Sequence, residues 1–422
     1  MGDDRVRWGL VRRFWFLFLF LFFGLYITPI ALGSLPVIDE WVMGSYLRLW
    51  EALMPILGNA ALGITEPIQV GFTGSDDMLW RWVQLLWYAI FAVVGALVWT
   101  TLDRKRGDYA TLYAWLRIAL RYWLALIMFG YGLIKVFGQQ FEALGPIHLG
   151  RSYGESSPAG LLWTFMGFSP VYRGFTGMAE ILAGALLLSR RTTPLGSLVA
   201  VAVMSNVVMM NLCYDVPVKT LSSLLLLSAL LLTAHDARRI VDALVLNRPT
   251  PASDLRAPVL GPRLRRARVA AKIGFVLLIV WTAIQTAMAV AQRQARAAPG
   301  PFYGAWAVER ITLDGAPPTS DEARWRQFAV PAYPMAVVRR ARGEALLFAL
   351  EHDVAASTIT LTELNEVATA HVLQVARPAA DELVLTGSMG AVIEVHLRRI
   401  DTEHAPLVTR GFHWISEEPY NR

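Results

Sequence analysis

The feature that most constrains this chain is the uncharged run from Phe14 to Ile38, rich in Phe and Leu, which is long enough to cross about 30 Å of hydrocarbon as a helix. Arg5, Arg7, Arg12 and Arg13 precede it. The run is too long for the apolar core of a secretory signal, and no clean A-x-A site follows, so an uncleaved anchor is expected. Six further runs follow, at about 82–101, 109–137, 171–189, 194–212, 219–235 and 273–292. With 55% hydrophobic and only 17% charged residues, the composition is that of a membrane protein.

The charges between the runs set an expected topology. Basic clusters lie at 5–13, 104–106, 190–191 and 238–272, while the segments 39–81, 138–170 and 213–218 lie between the opposite ends. With the N-terminus cytoplasmic, every basic cluster falls inside, and everything after about 293 falls outside. The net charge of +6 is thereby used up by topology rather than by nucleic acid. The expected organisation is two spans with an amphipathic loop helix (Trp41 to Leu57) in 1–108, a membrane core in 109–240, a basic linker in 241–272, a seventh span in 273–300 and a separate domain in 301–422.

That last domain changes period. In Ala391-Val392-Ile393-Glu394-Val395-His396-Leu397-Arg398 the apolar and polar residues alternate, which predicts a half-buried strand. Similar short runs recur from 306 onward, so a small antiparallel barrel or sandwich is expected. Gly304-Ala305-Trp306 resembles the first strand of lipocalin-like barrels. In the loop 138–170, Ser157-Pro158 and Ser169-Pro170 each pair a capping serine with a proline at the first helical position.

Only four of the 39 basic residues are lysine: Lys105, Lys135, Lys219 and Lys272. Lys135 and Lys219 stand at the outer ends of the third and sixth spans, as interfacial anchors or as amines whose partial burial makes them usable as bases. Asp215 and Glu155 are the accompanying candidates for proton transfer, and Asp215 also fits as the N-terminal cap of the sixth span. Arg121 and Glu180 near the middles of their spans predict an intramembrane ion pair, structural or part of a proton or anion path. Tyr131, Tyr153, Trp163, Phe165, Tyr214 and Asn211 form either an interfacial belt or a slot for a flat lipophilic ring. The single Cys213, read as a packing residue, rules out an internal disulfide or dithiol site. Glu142, His148, Glu155 and Asp215 match no metal-ligand spacing, and there is no nucleotide or haem motif, so no metal, haem or nucleotide is expected.

Tyr131-Gly132 with Lys135, Gln140-Phe141, Tyr153-Gly154 through Ser157-Pro158, Leu162-Trp163-Thr164-Phe165-Met166-Gly167, Glu180, Arg190-Arg191, and Asn211 with Tyr214 to Lys219 together resemble the DoxX-like family of bacterial integral membrane proteins. Arg410-Gly411-Phe412-His413-Trp414 and Pro419-Tyr420-Asn421-Arg422 are similar to the tail of longer members that append an extracytoplasmic domain. The resemblance implies a four-helix core over 109–240, in an all-α membrane protein of about seven helices with a small all-β domain, placed in the bacterial cytoplasmic (inner) membrane. It also implies membrane redox complexes, among them subunits of a quinone oxidoreductase. Two functions therefore stand. One is a quinone-binding membrane enzyme or subunit, with Lys135 and Lys219 at the ring oxygens. The other is a non-catalytic assembly factor or lipid-binding scaffold that recruits an extracytoplasmic protein partner.

Overall fold

The structure, a computed structural model, describes residues 8–33, 39–71, 73–104, 106, 108–251, 261–364, 369–415 and 417. Arg5, Arg7, Lys105, Arg256 and Pro419-Tyr420-Asn421-Arg422, on which some expectations rest, lie outside the described residues. The chain divides into two compact units, Met1–Gln140 with Val171–Ala287, and Phe141–Pro170 with Met288–Arg422.

The first unit is helical. Its elements are α1 (Leu10–Gly33), α2 (Asp39–Leu62), α3 (Leu79–Leu102) and α4 (Ala110–Val136). The second unit contributes α5 (Pro146–Leu149) and α6 (Pro158–Phe168). The first then resumes with α7 (Pro170–Leu187), α8 (Thr193–Cys213), α9 (Lys219–His235), α10 (Ala237–Leu244) and most of α11 (Pro262–Arg296). Among the described residues, α1, α3, α4, α8 and α11 are long and apolar enough to cross a membrane. The pair α9 and α10, bent by 72°, makes a sixth if it is one span. The remaining expected crossing is α7, which is shorter and carries Arg173 and Glu180.

The outer faces of the helices are apolar, unlike those of a water-soluble bundle. Gln84, Ser197, Asn211, Ser222 and Ser228 are buried, while Phe91, Val94 and Val98 on α3 and Leu277, Trp281 and Ile284 on α11 face outward. Apolar outer faces with polar groups turned inward fit a hydrocarbon surround, where backbone and polar groups must be satisfied within the protein. Inside, α1 packs along α3, and α8 along α9. Trp80, Phe23, Leu124 and Met128 fill the core.

The α8–α9 turn corrects one expectation. Asp215 is not the cap of α9, but sits in the left-handed region at φ 52 with its side chain largely exposed, 2.8 Å from Lys219 Nζ. The cap comes from Asp77, whose carboxylate accepts from the backbone N–H groups of Lys219 (2.8 Å) and Thr220 (2.9 Å). Such a cap contributes about 1 kcal/mol. Beside it, Asp76 has its carboxyl pushed up by burial, with Arg81 opposing. Cys213, read as a packing residue, is exposed at the end of α8.

In the second unit, β1 (Gly304–Leu313), β2 (Trp325–Val330), β3 (Met335–Arg340), β4 (Ala345–Asp353), β5 (Thr358–Glu363), β6 (Ala370–Ala376), β7 (Glu382–Ser388) and β8 (Val392–Ile400) form a closed antiparallel barrel. A short helix α12 (Pro406–Thr409) follows. Closure comes from β1, which pairs with β2 and also with β8, and so removes the open edge that a sheet of this size presents. Along β8 the inward residues are Ile393, Val395 and Leu397, the face that the alternation predicts. Trp306, Phe328 and Phe348 fill the interior. Gly387 lets β7 lie close to β6, since a Cβ there would stand 2.7 Å from the Val372 carbonyl oxygen.

Candidate functional site

The elements that build the site are α4, α7, α8 and α9. In a bilayer, apolar faces gain little by meeting one another, so close packing and polar contacts decide how helices associate. Gly132 on α4 and Gly177 on α7 meet backbone to backbone: a Cβ on Gly132 would lie 2.7 Å from the Gly177 carbonyl oxygen, and one on Gly177 would lie 2.6 Å from that of Gly132. Lys135 and Glu180 each follow their glycine by three residues, on the same helix face. The two side chains therefore meet, and Lys135 Nζ donates to Glu180 Oε1. Both residues are buried.

This corrects the expected pairing of Glu180 with Arg121. The helices run antiparallel, with Gly132 against Gly177 and Gly184 against Phe129. Glu180 is thus level with the end of α4, whereas Arg121 lies about 21 Å further back along it. Arg121 instead places its guanidinium over the Tyr122 ring at 4.9 Å.

The pair borders a cavity of about 50 Å³, lined also by Tyr131, Gln140, Asn211, Ser222, Met128 and Met204. Asn211 Nδ2 donates to Ser222 Oγ at 3.0 Å, which holds its amide in place. Two buried acceptors in this lining have no hydrogen-bond partner among the described residues: Glu180 Oε2 and Gln140 Oε1. Buried acceptors left unmet cost about 1–3 kcal/mol each, so the arrangement calls for a donor inside the cavity. The volume holds one to a few waters, and is well below the roughly 150 Å³ that takes up a benzene ring.

Of the six residues named for a ring site, Tyr131 and Asn211 therefore lie at one cavity. Tyr214 is exposed, as are Tyr153 and Phe165 in the second unit, where Trp163 packs edge-on against Phe141 at 5.1 Å. Lys219 does not line the cavity, and its ammonium is held by Asp215 and, at 3.6 Å, by Asp77. Gly132 and Gln140 enter the sequence reading only through the family resemblance, and Ser222 and Gly177 not at all; for the two glycines, the shared three-residue spacing to a charged residue is the available signal.

A stretch of 119 residues is 39% identical to "Uncharacterized protein YwoB" of Bacillus subtilis (strain 168), spanning 28% of this chain and 75% of that protein. The chain belongs to the YwoB family. No family model matches it, and no solved structure does.

In this YwoB-family chain, Glu155 lies in the second unit. It accepts from Ser152 Oγ at 3.0 Å and pairs with Arg326 of β2. Nearby in the same unit, burial lowers the His148 imidazole below its ordinary value of 6.5, and Arg151 and Arg339 add to this while Glu142 opposes it. Below about pH 6.5 the unfolded chain binds a proton that folded His148 resists, so stability is lost as the pH falls through that window. Between pH 7.5 and 5 the thermal midpoint of the His148→Gln variant is therefore expected to drop less than that of the wild type. Equal drops in differential scanning fluorimetry would remove His148 as a contributor.

Proposed function

We propose that this chain is an inner-membrane protein of the DoxX-like kind with seven crossings, its N-terminus cytoplasmic and its barrel extracytoplasmic. Its bundle binds the oxygen-bearing end of a quinone, or of a similar lipophilic ring, at Lys135 and Glu180. The observation that carries this reading is the buried Lys135–Glu180 pair facing a cavity together with the unpartnered Glu180 Oε2 and Gln140 Oε1. An ammonium donates to a ring carbonyl, and the two unmet acceptors suit the hydroxyl of the reduced ring. Six residues on which the DoxX-like resemblance rests or which border its motifs, Tyr131, Lys135, Gln140, Glu180, Asn211 and Val218, line the one cavity. The enclosed volume admits the oxygen and bound water. Entry of the ring requires Met128 and Met204 to yield, which their unbranched thioethers permit.

The test is to purify the full chain in mild detergent, extract it with organic solvent and identify the lipids by mass spectrometry. Quinone is expected with the wild type, and none with the Lys135→Met/Glu180→Leu double variant. A wild-type protein without quinone, or equal quinone in both, refutes the reading. One observation favours the scaffold alternative: Phe412, Trp414 and Ile415 are 78%, 90% and 78% exposed, an apolar tail suited to a protein partner. Co-purification of a stoichiometric partner without quinone would support that instead.

A further inference from the structure

A second cavity, of about 660 Å³, lies between α4, the α7–α8 turn and α11. Arg121, Arg190, Arg268 and Lys272 all line it, with Tyr122 and Ser189, and none of its described lining residues is Asp or Glu. Arg121 is only 8% exposed, and its Nε has no hydrogen-bond partner among the described residues. Burial, and then the charges of Arg121 and Arg268, hold the Arg190 guanidinium below its usual range. Arg121, Arg268 and Lys272 stand close together with no Asp or Glu among the described lining residues, and an anion among them relieves their mutual repulsion.

The same two helices continue past this cavity along an apolar gap of about 360 Å³, lined by Leu126, Phe129, Ile134, Leu278 and Ile279. α11 is pinned at one end of the gap to α4 and at the other to the turn that follows α4. Tyr122 meets Phe275 edge-on at 5.1 Å, and Gln139 Nε2 donates to the Thr286 carbonyl at 3.2 Å. From Tyr122 to Ile134, α4 rises about 18 Å. That is close to the acyl depth of one leaflet, half of roughly 30 Å. A charged chamber at one end of an apolar slot of this length has the proportions of a lipid.

We infer that this groove binds one anionic phospholipid, its phosphodiester among Arg121, Arg190, Arg268 and Lys272 and an acyl chain in the slot between α4 and α11. Basic pockets between membrane helices recognise acidic headgroups in this way. A free phosphate shares the head chemistry and leaves the apolar slot unexplained.

The experiment is native mass spectrometry of the full chain in detergent with added phosphatidylglycerol, phosphatidylcholine or inorganic phosphate. Phosphatidylglycerol is expected to be retained about tenfold more than phosphatidylcholine, and Arg268→Gln/Lys272→Gln, both exposed on α11, to abolish that preference. A Leu278→Trp variant, which fills the slot with the charges intact, is expected to lose the lipid about tenfold. Equal retention of the two lipids overturns the inference, as does an unchanged double variant or unchanged Leu278→Trp. Full displacement of the lipid by an equal concentration of inorganic phosphate overturns it in favour of a free-anion site.

Discussion

Replacing Lys135 by methionine is expected to destabilise the helical unit by about 3–5 kcal/mol, because it strands the buried Glu180 carboxylate without its cation. The loss comes from the partner left behind rather than from the pair's own net contribution, so a second substitution should recover most of it. Lys135→Met/Glu180→Leu removes both charges and puts apolar groups where the surroundings are largely apolar. Replacements of this kind are neutral or even stabilising. Thermal midpoints in detergent measure both steps. A single variant within about 1 kcal/mol of the wild type would mean that the pair is solvated or absent, and the cavity reading would fall with it. The double variant also separates two roles. A structural clamp predicts that it regains stability and quinone together, whereas a ligand site predicts that it regains stability alone.

Much of the fold can be read from local pattern. The period of two over 391–398 puts Ile393, Val395 and Leu397 inward, as β8 does. The sixth apolar run ends where α9 ends, and Ser157 caps α6 by accepting from Gly160 N–H at 3.1 Å. What local pattern cannot supply is register between distant segments. Arg121 and Glu180 both look central in their own runs, but the antiparallel contact of α4 with α7 sets Glu180 level with Lys135. The cap of α9 lies 142 residues away in sequence, at Asp77, so nothing near Asp215 could reveal it. Barrel and sandwich share the same alternation, and only the pairing of β1 with β8 separates them. The basic linker is a further case. Arg, which signals topology there, is like the neighbouring Ala a strong helix former, and α11 begins at Pro262 rather than near 273.

The close approach behind the site yields a second large expected effect. Gly177→Ala places a Cβ 2.6 Å from the Gly132 carbonyl oxygen, 2.9 Å from Val136 Cγ2 and 3.0 Å from Lys135 Cβ. The first of these is backbone and cannot swing aside, so α4 and α7 must separate. Overpacking of this kind costs about 1–3 kcal/mol. Separation also pulls Lys135 from Glu180, since each charged residue is placed by the glycine one turn before it. Gly174 on the same helix is the matched control: a Cβ there meets nothing within 4 Å, and alanine is the better helix former. Gly174→Ala is expected to raise stability by about 0.5–1 kcal/mol, and Gly177→Ala to lower it, a gap of about 1.5–4 kcal/mol between two identical changes three residues apart. Equal midpoints for the two would show that the helices do not touch at Gly177, and nothing would then bring the amine to the carboxylate.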